Sequence, residues 1–373
     1  MVTAAAWPQA GTMTTFGLHL TSYPEPDTGG SIAAYAQQVA TAAENSGVFG
    51  TLWLTDHLQN RGPAGTAPAP ESHLVLAAIA ARTERLDLGI LAASVVYRNP
   101  TLLAKMITTL DALSGGRAIL GIGAGHPRTQ GEAESYGYAF PPVRTRMDML
   151  DRALEVIRPM IGPEPDGAPP NWPRPLRVGG IPVLVAGSGE QRLLRIAAKH
   201  ADMINLSLPS GDTLDRIPHK LDVLRQHCAT VGRDPALITV TYKATMAVAE
   251  SREQARAAWD QWAPSFGLTE PAAEAGAFVG EPADIAGMAL PFLNAGVDHL
   301  IVELAGSAGP ESIALAAKAL APLAAAGDRL HPGRPAELPA QHTLTTTVKA
   351  RGHSGELDGA APDGGHESVV TSQ

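Results

Sequence analysis

The spacing of apolar positions changes twice between residues 86 and 125. Residues 86–92 are almost continuously apolar, which is typical of a strand buried on both faces. From Pro100, which suits the first turn of a helix, apolar residues recur at helical spacing until Ser-Gly-Gly at 114–116 ends the pattern. Residues 118–122 are again apolar. This order predicts a strand, a crossover helix and a parallel strand, the unit of α/β folds.

The same alternation continues along most of the chain. Apolar runs predict eight strands, at 16–20, 51–54, 86–92, 118–122, 182–186, 203–206, 237–249 and 299–303. Helical spacing predicts connecting helices at 31–45, 72–82, 100–113, 142–161, 190–200, 214–231, 252–263, 281–295 and from 310 to about 326. Eight alternating units indicate an α/β fold, the (β/α)8 TIM barrel with insertions. An open doubly wound sheet is the alternative, and the even alternation favours the barrel.

The two ends of the chain differ from its middle. Residues 1–13 have no periodic pattern, and we expect a disordered N-terminal extension there. Residues 329–373 are rich in Pro, Gly, Ser, Thr and Asp, so they cannot bury enough apolar surface to offset the entropy of ordering. We expect a disordered C-terminal tail there. The barrel is therefore assigned to residues 14–328.

Composition and charge limit the kinds of binding partner and the cellular compartment that we expect. The formal net charge of −9 argues against binding to a nucleic-acid backbone. The single cysteine, Cys228, excludes a disulfide framework and a cysteine-based zinc site, and no metal site is predicted. No apolar run reaches the length of a membrane span, and residues 1–13 lack the pattern of a signal peptide. We therefore expect a cytoplasmic protein with a small-molecule substrate and no nucleic-acid or membrane partner.

Asp56 and His57 directly follow the predicted strand 51–54. A histidine can donate or accept a proton near neutral pH, and a neighbouring carboxylate can fix its tautomer or raise its pKa. A loop histidine beside a capping aspartate is the structural alternative. Because the active sites of barrels lie at the carboxyl ends of the strands, the position favours catalysis.

Two glycine-rich segments follow other predicted strands. Gly121, Gly123 and Gly125 resemble an incomplete dinucleotide-binding pattern, because His126 and its neighbours stand where the helix should begin. These glycines indicate either close approach of a flat ligand to the backbone or crowding at the barrel rim. The second segment joins a strand to a predicted helix N-terminus, where an anion such as phosphate is favoured, although a simple glycine turn is the alternative. It consists of Gly187, Ser188, Gly189 and Glu190.

Three further basic side chains each allow two interpretations. Arg98 and Arg128 lie on predicted loops at the carboxyl ends of strands and could meet an anionic ligand, although solvated arginines are commoner. His19 lies within the first predicted strand. It is either a satisfied histidine of the core or rim, or a ligand contact.

Several of these segments together resemble the luciferase-like monooxygenase superfamily, in its branch of deazaflavin-dependent oxidoreductases. The matching stretches are FGLHL at 16–20, LWLTDHL at 52–58, the block at 88–125, FPPVRTRMDMLDRALEVIRPM at 140–160, and VLVAGSGEQRLLRIAAKHADMINL at 183–206. The resemblance is close over 16–206 and loose from there to about 326. It implies a luciferase-like barrel that binds a flavin-type ring at its C-terminal mouth, and a homodimer.

The resemblance also implies roles for single residues. Asp56 is expected at the polar edge or side chain of the deazaflavin, and His57 near the reacting carbon as proton donor or acceptor. The ring is expected against a bulge after the third strand, often with a non-proline cis peptide, which alignment from Gly89 places at Leu91-Ala92. The other implied contacts are Ala93 beside the bulge, Gly123, Ala124, Gly125 and His126 around the ring, Gly187, Ser188, Gly189 and Glu190 at the phosphate, and Leu206 nearby.

The resemblance has one departure at the site. Many relatives carry Trp or Glu where this chain has His126, so the loop 126–130 is an alternative determinant of substrate selection. The resemblance implies an oxidoreductase that transfers a hydride between the deazaflavin coenzyme F-420 (F420) and an unidentified small organic substrate. In that mechanism Asp56 would tune the pKa of His57. The alternatives are an FMN-dependent monooxygenase that uses reduced flavin and O2, and a non-catalytic ligand carrier.

Overall fold

The computed structural model describes residues 16–24, 31–59, 68–163, 169–207, 213–266, 276–306 and 308–324. The predicted N-terminal extension, 1–13, and C-terminal tail, 329–373, lie outside these residues. The domain boundaries at 14 and 328 therefore remain predictions.

Eight parallel strands close into a barrel. Each strand of the ring pairs in parallel with the next, in the order β1, β2, β3, β5, β6, β7, β8 and β10, and β10 pairs with β1. The two other strands pair with members of the ring, β4 with β5 and β9 with β8. The closed ring confirms the (β/α)8 prediction and excludes the open sheet. The strands are β1 Phe16–Leu20, β2 Phe49–Leu54, β3 Asp87–Ile90, β4 Ala93–Ser94, β5 Ala118–Gly123, β6 Val183–Ala186, β7 Met203–Ser207, β8 Thr239–Val248, β9 Ala277–Gly280 and β10 His299–Leu304.

Helices follow most strands, and several of them begin at recognisable capping residues. Ser31 accepts a hydrogen bond from the backbone N–H of Ala34, and Asn99 accepts one from Thr101 at the start of the helix that Pro100 opens. Within the described residues, no helix combines the length and apolar character needed to cross a bilayer. The helices are α1 Ile32–Asn45, α2 Ser72–Ala80, α3 Pro100–Ser114, α4 Gln130–Ser135, α5 Val143–Ile161, α6 Leu193–His200, α7 Ile217–Val231, α8 Arg252–Trp262, α9 Pro282–Asn294 and α10 Pro310–Ala324.

Four features differ from the pattern predicted by the sequence. α6 begins at Leu193 rather than at residue 190, because residues 190–192 form a turn. The short strand β4 and the short helix α4 were not predicted, since neither is long enough to show a period. β9 lies in a segment predicted to be irregular, although its side chains alternate between buried and partly buried as an edge strand requires.

The interior of the barrel is filled by side chains. An inner apolar cluster consists of Trp53, Ile119, Leu184, Met203 and Ile301, with Leu91 and Ala186 packed against it. A Cβ atom on Gly89 would lie 2.5 Å from Cζ3 of Trp53, and one on Gly121 would collide with the carbonyl oxygen of Ile90. The absence of side chains at both glycines therefore makes room for the indole and the neighbouring strand. For Gly121 the crowding interpretation is the correct one.

Candidate active site

Asp56 is held in a buried ion pair at the carboxyl end of β2. Arg98 donates to both carboxylate oxygens, at 2.8 and 2.9 Å, and the backbone N–H of Ser94 donates to Oδ2 at 2.9 Å. The same guanidinium donates to Glu71 at 2.7 Å. Burial alone would raise the pKa of Glu71, but hydrogen bonds from His73, Leu74 and Arg98 lower it to about 2. Arg98 therefore serves the protein's own carboxylates rather than remaining solvated.

His57 has a different carboxylate partner from the one predicted. Its Nδ1 lies 3.0 Å from Oε2 of Glu132, while the hydrogen bonds to the Asp56 carboxylate come from Arg98 and Ser94. Glu132 is 3% exposed and also accepts hydrogen bonds from the backbone N–H of Leu58 and the hydroxyl of Tyr97. The expectation that Asp56 tunes His57 directly is therefore replaced by a contact with Glu132.

Glu132 fixes the tautomer of His57. Burial raises the pKa of this carboxyl, but the hydrogen bonds from His57 and Leu58 outweigh burial and lower it below its usual range. An ionised carboxylate only accepts hydrogen bonds, so Nδ1 of His57 carries a proton and Nε2 is the nitrogen that can exchange one. The imidazole is 47% exposed, which leaves it open to the barrel mouth.

The glycine loop after β5 is fixed from beneath by a buried arginine. Arg146 on α5 is 4% exposed and donates to the carbonyl oxygens of Ala124, at 2.8 Å, and Pro141, at 2.6 Å. Gly125 has a φ of +79°, and a Cβ atom there would lie 3.0 Å from Oγ of Ser94. The loop therefore requires glycine for its backbone conformation and for its close approach to the neighbouring segment.

His126 lies just beyond this loop and is exposed. Its Nδ1 accepts a hydrogen bond from the backbone N–H of Arg128 at 3.2 Å and caps a short 3-10 helix at Pro127–Thr129. Partial desolvation of its ring, followed by the positive charge of Arg128, lowers the pKa of His126. His126 thus lies within electrostatic reach of His57.

The bulge predicted after the third strand is present. The peptide bond between Leu91 and Ala92 is cis, at the position that the family resemblance implies. The backbone N–H of Leu91 donates to Leu54 at 2.7 Å, and that of Val95 donates to Gly123 at 3.0 Å. The bulge and Ala93 thus connect the end of β2 to the glycine loop after β5.

The loop after β6 is positioned by its glycine and by a lysine from another helix. Gly187 has a φ of +126° and donates its N–H to the carbonyl of Asn205 at 3.0 Å. Lys220 on α7 is 6% exposed, donates to the carbonyl of Ser188 at 2.9 Å and lies 2.8 Å from the carboxylate of Glu190. The hydrogen bond from Lys220 lowers the pKa of Glu190. We call residues 187–190 with Lys220 the anion corner.

Two further residues that the sequence singled out, Leu206 and His19, lie in different surroundings. Leu206 belongs to the large core between barrel and helices, so its side chain faces away from the barrel interior. His19 is buried inside the barrel, close to Lys243 and Glu303, an ion pair that sequence patterns did not reveal. Lys243 and Glu303 interrupt the mainly apolar patterns of β8 and β10. This interruption was the signal from which the pair could have been predicted.

Residues 13–321 match the family model described as luciferase-like monooxygenase. The 4-hydroxyprotoasukamycin monooxygenase of Streptomyces nodosus subsp. asukaensis is 28% identical over 220 residues, which cover 55% of this chain and 56% of that protein. The F420-dependent glucose-6-phosphate dehydrogenase of Kineococcus radiotolerans is 31% identical over 274 residues, which cover 70% of this chain and 75% of that protein. The matched region thus spans little more than half of the Streptomyces relative.

Solved structures agree with the fold. An F420-dependent secondary alcohol dehydrogenase in complex with an F420-acetone adduct superposes with a TM-score of 0.68 at 17% identity, covering 84% of this chain and 99% of that one. At this identity the likeness supports the architecture alone. The (β/α)8 barrel of this chain is therefore the architecture of that enzyme.

Proposed function

We propose, since the chain belongs to the luciferase-like monooxygenase family, that this enzyme transfers a hydride between coenzyme F420 and a small organic substrate. The observation that carries the proposal is the arrangement of His57 at the barrel mouth. Its Nδ1 is held at 3.0 Å by the buried carboxylate of Glu132, so that Nε2 is left for proton exchange. The F420-dependent relative from Kineococcus supports the choice of cofactor.

The residues at the mouth fit a planar ring with an anionic side chain. The glycine loop after β5 and the alanines at 92 and 93 present small residues to a ring, and the buried Oγ of Ser94 has no hydrogen-bond partner within the described residues. The anion corner offers a lysine, and its loop precedes the N-terminus of α6, where negative charge is favoured. β5 and β6 are neighbours in the ring, so both features lie on one side of the mouth.

When bound, F420 supplies the hydride chemistry. The protein supplies the proton chemistry and the positioning. While the substrate is oxidised, Nε2 of His57 accepts the proton that the substrate loses, and in the reverse reaction His57 returns it. Glu132 stabilises the imidazolium that forms. The ion pair of Asp56 and Arg98 fixes the ends of β2 and β4 relative to each other, which holds His57 at the mouth.

Titration of the purified chain with F420 and with FMN, read by fluorescence quenching, tests the proposal. We expect saturable binding of F420, and we expect His57→Ala to bind F420 as the parent does while losing roughly 100-fold or more in turnover, as for removal of a general acid or base. Saturation by FMN with consumption of O2 would assign the enzyme to the monooxygenases instead. Binding of neither compound would refute both assignments.

His200 provides a matched control for this variant. It forms a histidine–carboxylate pair with Asp151 at 2.8 Å, between the outer helices α5 and α6. We expect His200→Gln to leave F420 binding and turnover unchanged. An equal loss of turnover in both variants would indicate a general effect on folding rather than a role for His57.

A further inference from the structure

Three polar side chains on neighbouring strands turn into the barrel near its carboxyl end. Ile301 on β10 belongs to the inner apolar cluster, and Glu303, two residues later, faces the same way. His19 on β1 pairs in register with Glu303, and Lys243 on β8 pairs with Ile301. Register partners share a face of the sheet, so His19, Lys243 and Glu303 form one inner polar cluster above the apolar filling.

Lys243 and Glu303 neutralise each other within this cluster. Nζ of Lys243 contacts Oε2 of Glu303, and the hydroxyl of Thr21 donates to Oε1 at 2.8 Å. Burial alone raises the pKa of Glu303, but Lys243 outweighs burial and lowers it, so the carboxylate is ionised. Glu303 is 1% exposed, whereas 19% of the Lys243 side chain is exposed. Of the two side chains, only that of Lys243 is therefore partly accessible to a bound molecule.

His19 is buried and has unused hydrogen-bonding capacity. It is 5% exposed, and neither ring nitrogen makes a hydrogen bond of ordinary geometry within the part of the chain that the structure describes. Burial, followed by the positive charge of Lys243, lowers its pKa to about 3. The ring is therefore neutral, with one donor nitrogen and one acceptor nitrogen. Buried polar groups without partners are rare in proteins, and this one lies beside the mouth that holds His57.

We propose that His19 and the ammonium of Lys243 bind the oxygen of an uncharged hydroxyl or carbonyl compound. The proposal deepens the hydride-transfer function, on which it rests, by assigning the substrate to this class. A hydroxyl matches one donor and one acceptor, and a carbonyl matches two donors. A carboxylate or phosphate would face Glu303, and an ammonium would face Lys243, so the balanced charges of the cluster disfavour both kinds of ion. Leu91 and Ala186, which pack on the inner apolar cluster and are only partly buried, leave apolar surface for the hydrocarbon part.

Nitrogen-15 NMR of the histidine rings in the full chain tests the proposal without cofactor. Cyclohexanol and cyclohexanone are the uncharged probes, and lactate and glucose 6-phosphate are the charged ones. We expect the uncharged probes to shift the ring-nitrogen resonances of His19, which are assigned from their loss in His19→Gln. We expect His19→Leu to weaken the binding of cyclohexanol roughly tenfold, and His19→Gln, which keeps a donor and an acceptor, to weaken it less.

A second histidine inside the barrel provides the control. His299 on β10 lies near the amino ends of the strands, where its Nε2 is 3.0 Å from the hydroxyl of Thr51. We expect His299→Gln to bind cyclohexanol as the parent does. Unshifted His19 resonances, equal binding of cyclohexanol by His19→Leu, or larger shifts with the charged probes would each overturn the proposal.

The outcomes separate this proposal from the one above. If the chain binds cyclohexanol at His19 but fails to bind F420, the hydride-transfer function is wrong and the binding site stands. If the chain oxidises secondary alcohols with F420 and His19→Leu does so with unchanged KM, the function stands and the assignment of His19 is wrong.

Discussion

Glu132 decides which nitrogen of His57 can exchange a proton. The carboxylate is 3% exposed and accepts from His57, from the N–H of Leu58 and from the hydroxyl of Tyr97. Three donors around one buried anion keep it ionised and fixed in place. His57 therefore has a fixed tautomer and a carboxylate beside its Nδ1.

We predict that Glu132→Gln lowers kcat roughly 10- to 100-fold while leaving the Kd for F420 unchanged. The amide removes the charge that stabilises the imidazolium, as for other groups that orient a catalytic histidine. Steady-state kinetics and fluorescence titration measure the two quantities. Glu132→Asp, which keeps the charge, should retain more activity than Glu132→Gln. A parallel loss of F420 affinity in both variants would indicate that Glu132 only maintains the loop.

The stability of the fold should fall in acid in a window set by Glu71. Its pKa is about 2 in the folded protein against an ordinary value of 4.5, so the unfolded chain binds the proton first as the pH falls. The contribution of Glu71 is fully present above pH 4.5 and is lost between pH 4.5 and pH 2. We predict that Glu71→Gln flattens the decline of the unfolding free energy over this window. Urea denaturation at several pH values measures it, and equal slopes for both proteins would contradict the prediction.

The sequence predicted the place of Asp56 and His57 but could not predict their partners. Both residues follow an apolar strand, and that local pattern placed them at the barrel mouth. Their partners are distant in sequence. Arg98 lies 42 positions from Asp56, and Glu132 lies 75 positions from His57. Glu132 lies on a six-residue helix without a clear apolar period, so no local signal marked it. Long-range polar pairing depends on the closed barrel, which local patterns do not encode.

The loop between β6 and α6 illustrates how two helices together build a local site. Apolar residues 183–186 predicted the strand, but the turn at residues 190–192 delays α6 to Leu193. The positive charge comes from α7, whose Lys220 reaches the carbonyl of Ser188 and the carboxylate of Glu190. In the sequence, Lys220 resembles any polar residue of an amphipathic helix. Only the packing of α7 against α6 gives it this role.

We predict that Lys220→Met raises the Kd for F420 roughly tenfold, because the anion corner loses its buried cation and Glu190 is left to repel a phosphate. Fluorescence titration at several salt concentrations measures the affinity, and its dependence on salt should weaken in the variant. Lys199→Met is the matched control, since Lys199 is ion-paired with Glu155 at 2.6 Å on the outer helices. Equal affinities of the parent and Lys220→Met would refute the proposed position of the phosphate.

Closure of the barrel places every candidate group at one rim. β10 pairs with both β1 and β8, so the strand that carries Glu303 joins the beginning of the sheet to its end. The inner apolar cluster fills the space below the rim, and the bulky Trp53 is the largest of its side chains. The sequence predicted eight alternating units, but the fit of a large indole against Gly89 and Gly121 depends on strands that come together only on closure.

The effect of a glycine-to-alanine change on stability depends on the space around the glycine. A Cβ atom on Gly89 would lie 2.5 Å from Cζ3 and 2.8 Å from Cε3 of Trp53, so we predict that Gly89→Ala lowers the unfolding free energy by about 1–3 kcal/mol. Gly287 lies within α9, and a Cβ atom there meets nothing within 4 Å, so Gly287→Ala should raise it by up to about 1 kcal/mol. Urea denaturation measures both. Adding Trp53→Phe should reduce the cost of Gly89→Ala, since phenylalanine lacks the outer ring of the indole, and a strictly additive double variant would contradict the steric origin.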